Sequence, residues 1–403
     1  MSKVILTRYL YLFDEVGLTF ITSLLKKRSL EECYFWISEL YLSGFIEQSW
    51  ELLWFVYYDF YYINNPYFRP FIHKKSVEGG LKSALTVVKN LFKMKSSSEV
   101  FVTRQYNNCV KDITQVFRGK KPNWLLSIPN KYHGLFRFID KKMYHFAVCS
   151  LPDVIEDDDE IFMAIQIYFQ LPDEQIKSFQ SEFNCNVKQN ELAGDLATDE
   201  LATDEPLTDT VDNQYNNSIH VLWSIICLLI FNRDYTSNKK KIYIACSDSE
   251  YNHIMEIHND PIPLSKYNNP QIYRTLQHKR LYSIDPICSS FHLLRENVEN
   301  INECYRYHWE YYAYLSPLWH DRFNMYHITI DPEKKKIIFH DDDELEDFYS
   351  QYGYEPDEQS YETESKRMVH ISDNNWNSWY NSIFVSSDKK PIYEFNEEFR
   401  FKY

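Results

Sequence analysis

The residue pattern predicts a mainly α-helical protein. Stacked helix pairs, as a solenoid or a compact bundle, fill the N-terminal part, and a C-terminal α+β domain with a β-hairpin follows. Three observations lead there. Apolar residues in the first 150 positions recur three and four apart, the spacing of a buried helical face. A two-strand signature with a polar turn is clear only between Ile328 and Phe339. Finally, 8 Gly stand against 33 Tyr, 27 Phe and 9 Trp in 403 residues, so glycine-rich nucleotide loops are hard to build.

The elements follow in order. Ser29-Leu30-Glu31-Glu32 reads as a capping box, with Ser29 accepting from the Glu32 amide and the Glu32 carboxylate reaching back. Leu30, Cys33, Ile37, Leu40 and Tyr41 then recur on one face until Gly44 stops the helix. Ile46, Trp50, Leu53, Trp54, Tyr57, Phe60 and Tyr61 line a second helix that ends at Asn64-Asn65-Pro66, and the short Gly44 link makes the two antiparallel. A third amphipathic helix follows Gly79-Gly80, with Leu81, Ala84, Leu85, Val88, Leu91 and Phe92. Tyr106, Val110, Ile113 and Phe117 predict a fourth, and Leu135, Ile139, Met143 and Phe146 a fifth. The aromatic stripes of these helices read first as core.

Charge divides the chain. Residues 1–150 hold 21 Lys and Arg against 12 Asp and Glu, residues 151–215 hold 2 against 17, and residues 216–403 hold 20 against 29, within a total of −15. We therefore expect a basic helical-pair domain over 1–150, an acidic helical extension over 151–190, a disordered acidic linker over 191–217 and an aromatic-rich α+β domain over 218–403. The linker, with LATDE repeated at Leu196–Glu200 and Leu201–Glu205, lacks an apolar face to bury.

In the last part, Val221 to Phe231 is the most apolar run and reads as a buried helix; at eleven residues it is short of the roughly 20 that cross a bilayer. Lys239 to Ala245 is β-prone. Ile328-Thr329-Ile330 and Lys336-Ile337-Ile338-Phe339 read as the hairpin, and Asp341-Asp342-Asp343-Glu344 as the acidic first turn of a helix. Ile301 to Leu318 carries aromatics on every face, so it is either enclosed on several sides, the first reading, or presents Tyr and Trp to a partner, and the tail from Trp376 to Tyr403 is expected to dock as an extended strand.

The chemistry tests are mostly negative. No two of the 8 cysteines are closer than sixteen positions, so no C-x-x-C half-site exists, and they read as reduced core thiols of an intracellular protein. The N-terminal stretch lacks a signal-peptide pattern. There is no G-x-x-x-x-G-K-[ST], G-x-G-x-x-G or G-x-S-x-G. His253 and His258 are five apart, about 140° around a helix, and cannot share a metal. Asp341 with Asp343 resembles the start of a calcium loop, but Leu345 and Glu346 stand where its ligand and glycine belong. No cofactor, metal, membrane or catalytic residue is expected.

The remaining signal is a basic face, which is either a solvated helical face that simply carries lysines or a polyanion surface. Between Arg69 and Lys142 there are 16 basic and 4 acidic residues. Candidate phosphate contacts are Lys74, Lys75, Lys82, Lys89, Lys93, Lys95, Arg104, Lys111, Arg118, Lys120, Lys121, Lys141 and Lys142, provided that the helices gather them into one strip. Tyr305, Tyr307, Trp309, Tyr312 and Trp319 are the candidate protein-partner contacts.

The blocks YFWISELYLSGFIEQSWELLWFVYYDFYY, YRTLQHKRLYSID and ECYRYHWEYYAYLSPLW, with heavy Tyr, Asn and Ile usage, resemble a family of uncharacterised proteins of giant nucleocytoplasmic DNA viruses of the mimivirus kind. The resemblance touches about half the chain and carries no catalytic motif. It implies a place in the host cytoplasm, the viral factory or the virion. Basic helix pairs also resemble, at fold level, the HEAT-type domain of translation-initiation scaffolds. The expected function is a non-catalytic adaptor that binds nucleic acid, RNA ahead of DNA, and a protein partner in viral gene expression. The alternatives are a structural or internal virion protein and, third, an enzyme with dispersed catalytic residues.

Overall fold

A computed structural model of the chain describes residues 4–105, 121–152, 158–196, 210–232, 242–258, 276–290, 301–367 and 376–384. Helix dominates them, with one two-stranded antiparallel sheet near the C-terminal end.

The first helices are α1 (Phe13–Leu25), α2 (Leu30–Leu42) and α3 (Ile46–Phe60). Ser29 Oγ accepts from the Glu32 amide at 2.9 Å, as its sequence context requires. The Glu32 carboxylate does not return to Ser29. It takes the Ser23 hydroxyl at 2.9 Å and Arg28 at 3.2 Å, because a charged donor binds it more strongly than a backbone amide. Gly44, at φ 92°, turns the chain into α3, and a Cβ there would stand 2.6 Å from Pro317 Cβ. Glycine serves both the turn and the close approach.

Helices α4 (Arg69–Glu78) and α5 (Leu81–Lys93) follow, with α5 burying Leu81, Ala84, Leu85, Val88 and Leu91 in a core that it shares with α2. Next comes α6 (Glu99–Gln105). The fourth predicted helix, at Tyr106–Phe117, lies outside the described residues. The fifth is two helices, α7 (His133–Asp140) and α8 (Tyr144–Cys149). Lys142, at φ 58°, separates them, and the Met143 amide bonds the Phe138 carbonyl at 2.8 Å to close α7.

The acidic extension is helical: α9 (Asp158–Phe169) leads to α10 (Asp173–Leu196), which packs against both α9 and α11 (Thr210–Phe231). The expected linker over 191–217 is therefore narrower, since helix runs through Leu196 and resumes at Thr210; 197–209 lie outside the described residues. Helical hydrogen bonding propagates cheaply once a long helix has formed and packed, which is why composition alone placed these ends badly. In α11 the apolar run is core, with Leu222, Trp223, Ile225 and Ile226 all buried.

Of the β-prone Lys239–Ala245, residues 239–241 lie outside the described residues, and 242–247 pair with no strand among the described residues, contrary to expectation. Side chains of α5 take the place of a neighbouring strand. Asn90 Oδ1 accepts from the Ile244 amide at 3.0 Å, Asn90 Nδ2 donates to the Ile244 carbonyl at 2.9 Å, and Thr86 Oγ1 accepts from the Cys246 amide at 3.0 Å. Helix α12 (Asp248–Ile257) then starts in a reciprocal capping box between Ser247 and Glu250. After α13 (Leu276–Lys279) come α14 (Ile301–Tyr314) and α15 (Pro317–Phe323). The hairpin forms where predicted: β1 (Ile328–Asp331) pairs with β2 (Lys336–Phe339), Ile328 opposite Phe339. Asp341 caps α16 (Asp342–Tyr352) by accepting from the Asp343 amide at 2.9 Å. The last helices among the described residues are α17 (Tyr361–Ser365) and α18 (Trp376–Phe384), so the expected extended tail begins as a helix, whose Trp379 ring meets Phe101 at 5.2 Å; 385–403 lie outside the described residues.

Buried side chains form one continuous apolar cluster from Val4 to Tyr380, and the boundaries at 150 and 218 do not interrupt it. The Leu6 amide bonds the Tyr312 carbonyl at 3.3 Å, and the Leu318 amide bonds the Ser43 carbonyl at 3.1 Å. Arg280 is fully buried in the same seam, donating to the Tyr9, Leu10 and Thr363 carbonyls, to Glu364 and to the Tyr305 hydroxyl.

Candidate functional site

The predicted cations separate into two groups. Lys74 and Lys75 reach Glu78 at 3.8 and 2.5 Å. Lys82 pairs with Asp248, and Lys89 holds Glu250 at 2.8 Å and the Ala245 carbonyl at 3.1 Å. Burial works to raise the Glu250 carboxyl, but its bonds from Lys89 and Ser247 hold it below the usual range. The lysine face of α5 is thus occupied by the first turn of α12. Arg104 lies deeper, bonding Asp59 at 2.9 and 3.2 Å beside His220, whose Nε2 is 2.7 Å from the same carboxylate. The single strip expected from the sequence is divided by these carboxylates. Lys111, Arg118 and Lys120 lie outside the described residues. Lys93, Lys95, Lys121, Lys141 and Lys142 are exposed and hold no ion pair among the described residues.

The aromatic candidates are corrected by packing. Tyr305, Trp309, Tyr312 and Trp319 are buried and cannot meet a partner; Tyr307 alone of the five is open, at 63% exposure. The cause is a break in α14 at His308 (φ −137°, ψ 22°) and the restart at Pro317. These bends fold Trp309 onto Trp319, ring centres 5.4 Å apart, and Tyr305 beneath Arg367.

Titratable side chains elsewhere are committed to structure. His258 is buried and stacks on Tyr9, whereas His253 is exposed near Glu31, so the two do not converge. Among the described residues no three His, Cys, Asp or Glu side chains stand where they could hold a metal ion. Burial pushes the Cys33, Cys227 and Cys288 thiols up, which keeps them protonated. No helix among the described residues is long and apolar enough to cross a membrane.

A groove of about 380 Å³, open to solvent, lies where α7, α9 and α11 end. That volume falls in the range of small-ligand sites. One wall is Trp124, on the short turn Asn123–Ser127, with its ring edge-on to Tyr168 at 4.9 Å. The other is Tyr144, which meets the half-open Phe231 at 5.2 Å, with Leu229 and Ile230 beneath. Asp140, Lys142 and Gln170 supply its polar lining. Lys141 adjoins Lys142, and Lys121 precedes Trp124 by three residues. Of the predicted cations, only Lys142 lines the groove. Sequence reading missed Trp124, Tyr144, Tyr168 and Gln170, because they sit at helix ends and turns, where periodicity is silent; Pro172 just after Gln170 was the one local sign of a helix stop. Comparison with protein-family models, curated proteins and solved structures finds no match to the chain.

Proposed function

We propose that the protein is a non-catalytic helical adaptor that holds single-stranded nucleic acid, RNA ahead of DNA, through the groove at the ends of α7, α9 and α11. The observation that carries this reading is the joining of aromatic walls, Trp124, Tyr144 and Tyr168, to Lys142, which holds no carboxylate among the described residues. Rings stack on any base, and ammonium groups follow the phosphate chain. Lys82, Lys89 and Arg104 leave the set of phosphate contacts, since each already holds an acidic partner. Tyr307 is what supports the protein-partner surface. An adaptor of this kind would serve viral gene expression, the setting that the sequence resemblance implies.

The test is fluorescence anisotropy with a labelled oligonucleotide over a salt series. Binding that weakens with salt and is lost in Trp124→Ala is the expected result. Affinity that ignores salt, or a Trp124→Ala variant that binds like the parent, would overturn the proposal.

A further inference from the structure

A second, enclosed cavity lies in the seam between the first residues of the chain and α14. It admits one water-sized guest, whose centre has about 10 Å³ to occupy. Aliphatic side chains, among them Val4, Leu6 and Ile301, form most of its wall, and Tyr305, Tyr312 and Arg367 bring the polar groups. Arg367, just past α17, is 4% exposed. Its Nε donates to Glu364 at 3.0 Å and its Nη2 to Asn302 at 2.9 Å, whereas Nη1 is buried and has no hydrogen-bond partner among the described residues. Leaving a donor of a buried charged group unpaired is costly, so Nη1 requires an acceptor from outside the chain.

The charge balance identifies that acceptor. Arg280 is fully buried and bonds the Tyr305 hydroxyl, and Arg367 lies over the Tyr305 ring, 3.4 Å from its centre. Among the described residues Glu364 is the one carboxylate that pairs with either guanidinium, at 3.1 Å to Arg280 and 3.0 Å to Arg367. Two positive charges therefore share one negative charge. Burial pulls Arg367 below its usual range despite Tyr305 and Glu364, yet a guanidinium keeps its proton. A water molecule would satisfy the Nη1 hydrogen but leave the surplus charge buried, and aliphatic walls give it few of the partners that a buried water needs. We propose that the cavity binds one monatomic halide of chloride's size, held by Arg367 Nη1 and neutralising the Arg280–Arg367 pair. Chloride is only slightly larger than water, whereas sulfate or gluconate does not fit. The bound ion fastens residues 4–12 to α14.

Melting of the full chain in sodium chloride against sodium gluconate, at equal ionic strength, tests this. Once chloride exceeds its dissociation constant, the melting temperature should rise by about 2 °C for each tenfold increase, with no such rise in gluconate. The Leu6 amide, which bonds the Tyr312 carbonyl at 3.3 Å beside the cavity, should exchange more slowly in chloride. Arg367→Met removes the anchoring cation, and Val4→Leu fills the cavity while keeping both guanidiniums; each should abolish the chloride dependence. If Arg367→Met does not fold, Val4→Leu decides alone. Equal melting in the two salts, as a buried water would give, or a chloride dependence that survives in Val4→Leu, overturns the proposal.

Discussion

Replacing Arg280 with leucine should show what joins the first residues of the chain to its last third. Arg280 Nε donates to the Tyr9 carbonyl at 2.9 Å, and Nη1 donates to the Thr363 carbonyl at 3.3 Å and to Glu364 at 3.1 Å. Its Nη2 reaches the Leu10 carbonyl at 3.4 Å and the Tyr305 hydroxyl. Leucine fills much of the volume but donates nothing. Breaking a buried ion pair costs about 3–5 kcal/mol, and the low end applies because Glu364 keeps Arg367 at 3.0 Å. The Thr363 carbonyl keeps the Lys366 amide at 3.4 Å, so two buried carbonyls, of Tyr9 and Leu10, lose this donor at about 1 kcal/mol each; the expected loss is about 5 kcal/mol, a large share of a typical stability. Equilibrium urea unfolding measures the loss. Hydrogen exchange locates it, at the Thr7 amide, which bonds the Tyr11 carbonyl at 2.8 Å, and the Ile284 amide, which bonds the Lys366 carbonyl at 2.9 Å. Both should exchange faster. A loss under about 1 kcal/mol with both amides unchanged would refute the claim that this guanidinium ties the segments together.

Two further outcomes follow from buried polar groups. Glu182 accepts from Tyr58 and Tyr62 at 3.2 and 3.1 Å beside Arg69, yet burial pushes its carboxyl from 4.5 up to about 7. The folded state therefore holds a proton that the unfolded chain releases, so this stabilisation is complete below the unfolded value and is lost as pH rises through 7. Melting temperature against pH should fall across that window and flatten in Glu182→Gln; parallel curves would contradict the assignment. Asn90→Ala removes both bonds to Ile244, one to its amide and one to its carbonyl, and should cost about 1–3 kcal/mol. It should also release residues 242–247 to limited proteolysis before any other described segment, and an unchanged cleavage order would count against it.

The helices were legible wherever a stop or a cap stood beside a periodic run. Gly44, Gly79-Gly80, Ser29 and Asp341 each did their work within one turn, and the hairpin at Ile328–Phe339 formed where expected. Reading failed where the neighbours were remote. In the β-prone stretch, Ile244 and Cys246 found a helix instead of a strand, because Asn90 and Thr86 present donors and acceptors at the right heights. The aromatic helix read as all-round aromatic because a kink at His308 has no local signature, and that kink turns Tyr305, Trp309 and Tyr312 into the core. The groove was invisible because helix ends distant in sequence build it.

Sequence alone settled that the chain is mainly helical, where α2, α3, α5 and α16 begin or end, and that the basic residues crowd the first third. Tertiary structure decided which of those charges remain available: Lys82 meets Asp248 across 166 positions, and Lys89 meets Glu250 across 161. The physical reason is range. Capping and side-chain periodicity act over three or four residues and are written in the local string, whereas a charge is neutralised by whatever the fold brings within a few ångströms, which no local pattern records.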